Sequence, residues 1–354
     1  MHTISKLSAV ALLCHAFIAH ADTRADDVQG YFLNKEILHV GAGEMRSSFI
    51  RSSPILAGMA ELGPVHVERS GTYEVRSAST SNADGSLIVA ESDDGSFLAL
   101  VDTPDRHGTV VSASDGSQVF IEAPDDDYMQ PDTDPDPQSD ALQRRAADTD
   151  ASGVNVIDVL AGFSKSAASR VKNPKAYALA QVESVNLRLR NSQVANARLR
   201  LVGIQVIDED FPVTKQTLGK IKTLFADGIK EYGADLVAAY FNAKGNTAGG
   251  WANVKGRFSA QRAAQSRAFR HEVAHNVGGS HCNKGKNSYK FGYNNGKSRT
   301  ALCGNKAAFY STPLLSDKHG LPLGDSAKAD MARLWRERAA VMSSYAKAVV
   351  PIDD

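Results

Sequence analysis

Apolar and polar positions alternate with a period of two over Thr72–Val75, Ser86–Ala90, Ser96–Val101, Thr109–Ser112 and Gln118–Glu122. That period places successive side chains on opposite faces of a strand. Asp84-Gly85, Asp93-Asp94-Gly95 and Asp115-Gly116 punctuate the runs, and such pairs make hairpin turns. Residues 22–123 therefore read as a small antiparallel β domain. From residue 152 the period lengthens between short apolar runs. Val154–Leu160, Leu199–Ile207, Leu236–Phe241 and Gly250–Val254 read as strands. Asn173-Pro174 caps a helix that runs to about Arg190. Thr214–Tyr232 reads as a second, amphipathic helix, and about Ala260 to Val277 as a third. The order β-α-β-α-β-β-α predicts an α/β (α+β) domain, a mixed twisted sheet backed by helices.

The segments outside these patterns set the organisation. Residues 1–21 carry Lys6, an apolar run and Ala19-His20-Ala21, which fits a cleaved signal peptide with cleavage before Asp22. The expected location is secreted: extracellular, or periplasmic in transit. No later stretch is long and apolar enough to span a bilayer. Residues 124–151 are rich in Pro and Asp and read as an extended linker. Arg144-Arg145 near its end is a candidate maturation site, or part of an ordinary interdomain linker. The domains expected are thus 1–21, 22–123, 124–151 and 152–354.

Charge sharpens this division. The net charge of the 354 residues is zero, but residues 1–145 hold 10 basic and 23 acidic side chains. The remaining 30 basic and 17 acidic residues give the second half the opposite sign. Halves so charged attract each other. Basic residues are not interleaved with aromatics in any nucleic-acid module, so nucleic-acid binding is not expected. Export leaves Cys282 and Cys303 as a candidate disulfide.

The chemistry is concentrated in His271-Glu272-Val273-Ala274-His275-Asn276-Val277-Gly278-Gly279-Ser280-His281. Histidines at i and i+4 share one helix face, so both imidazoles reach one ion. Glu272 sits beside that face, poorly aimed at a metal and well placed to take a proton from water. Gly278 lets the chain turn back, which brings His281 within reach as a third ligand. Three nitrogens and one open position describe a catalytic zinc site with a single Zn2+. A calcium site is not indicated either way.

This HExxHxxGxxH pattern, with Gly250–Val254 and the tail from Arg299–Cys303 through Phe309–Pro313 to Gly320–Gly324, resembles the metzincin zinc endopeptidases. Within them it is similar to the reprolysin (adamalysin)-like branch, over residues 152–346. The resemblance implies a metzincin-like catalytic domain preceded by an antiparallel β prodomain. It implies a secreted zinc-dependent endopeptidase in which Glu272 assists a zinc-bound water. It makes Gly250, Trp251, Ala252, Asn253 and Val254 an edge strand that pairs with an extended peptide, a mode in which backbone hydrogen bonds grip the chain. The apolar floor of the zinc site falls to Leu302, where relatives place a Met; Met342 is the competing position. By the same resemblance the acidic N-terminal domain is an intramolecular inhibitor or chaperone. The alternative is a permanent module. Lys284, Lys286, Lys290, Lys297 and Arg299 follow the zinc helix, as a solvated loop or as a subsite for acidic substrates. A non-enzyme rival is a secreted zinc-binding adhesion or interaction module.

Overall fold

The structure is a computed structural model that describes residues 30–31, 63–80, 84–104, 107–115, 118–123, 146–244, 248–263 and 265–352. The signal segment, most of the linker, Arg144 and Arg145 lie outside the described residues. The architecture is mixed α+β.

The alternating region forms one seven-stranded antiparallel sheet. Its strands are β1 (Gly30–Tyr31), β2 (His66–Ser70), β3 (Tyr73–Ser79), β4 (Ser86–Ser92), β5 (Phe97–Asp102), β6 (His107–Ser112) and β7 (Gln118–Glu122). Strands β2 to β7 are ordered as a meander, and β1 adds beside β7. Gly71, Gly85 and Gly95 lie in the connections between β2 and β3, β3 and β4, and β4 and β5, whereas β5 and β6 are joined without a glycine. Gly95 turns β4 into β5 with φ +78°, and Asp94 accepts the Ser96 amide at 2.9 Å. β2 is an addition to the sequence reading; its side chains are mostly exposed, so no apolar row marks it.

The second sheet has the order β11-β12-β10-β8-β9. It comprises β8 (Asn155–Ser164), β9 (Ala197–Ile207), β10 (Leu236–Phe241), β11 (Gly250–Ala252) and β12 (Phe258–Arg262). β8 runs parallel to β9 and β10, β10 parallel to β12, and only β11 is antiparallel. α1 (Lys165–Val171) follows β8 directly, and α2 (Pro174–Asn191) follows α1. The Asn173 side chain caps α2 by accepting the Ala176 amide at 3.0 Å.

Two helix readings need correction. Thr214–Tyr232 is three short pieces, α3 (Lys215–Leu218), α4 (Ile221–Leu224) and α5 (Ala226–Tyr232). The breaks seat Phe225 against Gly162, where any side chain would overlap its ring, and Gly228 against Leu160. The third helix does not start near Ala260. Residues 258–262 are the strand β12, because parallel pairing with β10 outcompetes the local helical pattern. The helix proper is α6 (Ala268–Asn276).

α2 lies between the two sheets, against β3, β4 and β5 on one side and β9 on the other. Every residue from Ala176 to Leu189 is buried. Val75, Ile88, Leu98 and Leu100 of the first sheet share one core with Tyr177, Val185 and Leu199 of the second unit. The tail adds two small pairs, β13 (Ser280–Cys282) with β14 (Phe291–Gly292), and β15 (Thr312–Ser316) with β16 (Pro322–Leu323). α7 (Met331–Met342) follows, capped by Asp330 and burying Met331, Leu334, Trp335 and Met342. Among the described residues, no helix is long and apolar enough to cross a membrane.

Candidate metal centre

α6 is buried along its whole length. Asn276, its last residue, donates to the carbonyls of Asn253 and Phe258 at 3.2 Å, which ties the helix to the β11–β12 connection. Gly278 then takes φ +112°, a left-handed conformation that costs glycine little. The chain reverses: the Gly279 amide bonds the Ala274 carbonyl at 2.9 Å, and the Ser280 amide bonds Lys290 at 2.8 Å as β13 begins. This reversal returns His281 to the face carrying His271 and His275.

The three Nε2 atoms meet in a nearly equilateral triangle. His271 to His281 is 3.1 Å, His275 to His281 is 3.2 Å, and His271 to His275 is 3.3 Å. An ion held tetrahedrally about 2.0–2.1 Å from each nitrogen would set them about 3.3 Å apart. The protonation of the rings fits the same reading. His275 Nδ1 lies 3.0 Å from the Gly279 carbonyl, which can only accept, so the proton sits on Nδ1 and Nε2 presents a lone pair. Burial, then His275, His281 and Arg270, hold the pKa of His271 well below its ordinary value. The three residues could hold one metal ion, and an all-imidazole donor set suits a divalent ion such as zinc.

Glu272 is 5% exposed. Its carboxylate packs against Gly250 of β11, so closely that a methyl group built on Gly250 would overlap it and come within 2.7 Å of Cγ and Cδ. The edge strand and the carboxylate are therefore neighbours because residue 250 has no side chain. β11 is the terminal strand of its sheet and ends at Ala252; Asn253 and Val254 belong to the connection that follows.

Beneath the loop that carries His281, Leu302 is fully buried with φ +64°. A Cβ on Gly279 would overlap the Met331 methyl and lie 2.6 Å from Leu302 Cδ1 and Met331 Sδ. The support under this loop is thus shared between Leu302 and Met331, while Met342 sits at the far end of α7 in the core. Met331 is a contributor that its helical spacing marks only as core. Cys282 and Cys303 form a disulfide with Cα atoms 4.7 Å apart, joining the residue after His281 to the residue after Leu302. Lys284, Lys286, Lys297 and Arg299 are exposed on the following loop, and Lys290 is half-buried.

No family model matches the chain, and no curated protein matches it. Solved structures do. One is the structure of a chaperone-substrate complex, with 22% identity and a TM-score of 0.50 over 72% of this chain. The match spans 40% of that chain's length, and at this identity it shows the fold alone. Another is the crystal structure of metalloproteinase-II from Bacteroides fragilis, with 9% identity over 72% of this chain and 84% of that one. Its TM-score is 0.43, too loose a superposition to carry an argument.

Proposed function

We propose that this chain is a secreted, zinc-dependent endopeptidase of the metzincin kind, reprolysin-like in its branch. One observation carries the reading: three imidazole Nε2 atoms converge at 3.1–3.3 Å, and the carboxylate of Glu272, on the same helix as two of them, packs against the edge strand. His271, His275 and His281 would hold the ion. When bound, a zinc ion supplies Lewis acidity, which acidifies water and polarises a carbonyl.

The chain's own residues do the rest. β11 offers its backbone to an extended peptide, which aligns the scissile bond by strand pairing whatever the side chains. Glu272 Oε1 or Oε2 takes the proton of the attacking water and returns it to the departing amine nitrogen. Its burial against Gly250 fixes the carboxylate toward the strand that holds the substrate. Leu302 and Met331 keep the underside of the ligand loop dry, and the disulfide anchors His281. The exposed Lys284, Lys286, Lys297 and Arg299 favour acidic substrates. A disulfide and the lack of a spanning helix among the described residues are compatible with an exported protein.

The test is a quenched-peptide or casein assay with and without phenanthroline, run beside Glu272→Gln. Hydrolysis should be abolished by the chelator and fall about 10²–10⁴-fold in the variant, which keeps its metal. Full activity in a metal-loaded Glu272→Gln protein would refute the role of Glu272. A chain that binds zinc and cleaves nothing would favour the adhesion-module reading.

A further inference from the structure

α6 begins with an electrostatic deficit. Arg267 is its N-cap residue and Arg270 lies in its first turn, with no acidic residue there. Two cations at the positive end of a helix dipole call for an anion. The anion comes from the other sheet. Asp102 ends β5 in the row of Leu98 and Leu100 that faces α2, and it is 3% exposed. Arg267 Nε donates to its Oδ1 at 2.8 Å and Arg267 Nη2 donates to the same oxygen. Arg270 Nη2 donates to Oδ2, and Arg188 Nη2 lies 3.7 Å from it.

The cluster reaches both parts of the metal site. Arg270 directly precedes His271. Arg270 also donates to Asn305, through Nη2 to the carbonyl at 3.2 Å and Nε to Oδ1 at 3.4 Å. Asn305 Nδ2 returns a bond to the Arg267 carbonyl at 3.0 Å. Asn305 stands two residues beyond Cys303, whose disulfide holds Cys282 and hence His281. One buried carboxylate therefore braces the helix of His271 and His275 and the loop of His281 together. Burial would raise the pKa of Asp102, but Arg267, Arg270 and Arg188 overcome this and hold the carboxyl below the usual range. The same interface is held elsewhere by Ser77 bonded to Glu183 and by Tyr73 paired with the α2 cap Asn173 at 3.2 Å.

We propose that Asp102 is a positioning residue for the metal centre, which makes the N-terminal sheet a permanent part of the working site. The inference rests on reading His271, His275 and His281 as metal ligands. It has a corollary: a cut at Arg144-Arg145 leaves both pieces bound to each other.

The test uses the full chain. Asp102→Asn keeps the size of the side chain and removes its charge. Leu98→Ala, on the same strand and interface, serves as the control for general loosening. Zinc affinity is measured by chelator competition well below each unfolding midpoint, and amide exchange is followed over residues 268–276 without metal. Asp102→Asn should weaken zinc binding about 10-fold, the low end of the loss seen when a direct partner of a metal ligand is removed, because Asp102 acts through Arg267 and Arg270. It should also speed exchange in α6, whereas Leu98→Ala should change affinity by no more than about twofold. Native gel filtration after cleavage in the linker should show both pieces co-eluting. Unchanged affinity and exchange in Asp102→Asn, an equal loss in Leu98→Ala, or a freed C-terminal piece with full zinc affinity would each overturn the proposal. If the wild-type chain binds no zinc, the reading of the histidines fails, and the exchange and co-elution results still judge Asp102.

Discussion

The two sheets flank the same buried helix, α2, and each reaches the histidine-bearing helix α6 by a different device. The five-stranded sheet does so by omission: Gly250 lacks a side chain, so the Glu272 carboxylate can lie against the edge strand. The seven-stranded sheet does so by addition: Asp102 delivers a charge to Arg267 and Arg270. The first contact touches a group expected to act on substrate. The second sets the frame in which such groups sit. The difference teaches that nearness to α6 is not one property, and that changes on the two sides should fail in different ways.

Gly250→Ala is the largest break on the acting side. Its methyl would displace the Glu272 carboxylate, and a misplacement of about 1 Å can cost about 100-fold in rate. We expect that loss in kcat, with zinc content and unfolding midpoint near wild type. An unchanged kcat would show that the contact with the edge strand is incidental. On the framing side, removing the disulfide by Cys282→Ser with Cys303→Ser should lower stability by about 3 kcal/mol, the value of closing a loop of this size. Urea unfolding measures this. A loss of activity per folded molecule as large as that of Gly250→Ala would erase the distinction between the two sides.

Much of this was readable in the chain, and what was not has a common cause. Much of the meander follows from period-two rows and from the Asp84-Gly85 and Asp94-Gly95 turns, which are local signals. The convergence of the three histidines follows from the spacing of His271, His275, Gly278 and His281, also local. Local signals failed where tertiary pairing decided. Residues 258–262 became a strand because β10 offers parallel partners. Residues 214–232 broke into pieces because Gly162 and Gly203 admit Phe225 and Tyr232 into the sheet face. Asp102 carried a faint signal, an acidic residue continuing the inward row of Leu98 and Leu100, but its arginine partners lie more than 160 residues away or, for Arg188, in another element. Met331 was hidden for a similar reason: a Met in a core stripe looks alike whether or not it ends beneath a ligand loop.

The central claim is that three imidazoles form one metal-binding unit, and metal content measures it most directly. Purified full-length chain, dialysed against trace zinc and analysed by inductively coupled plasma mass spectrometry, should carry one zinc per molecule. His281→Ala should carry almost none under the same dialysis, with its far-UV circular dichroism unchanged. A wild-type chain without zinc, or a His281→Ala chain that holds as much as wild type, would contradict the account.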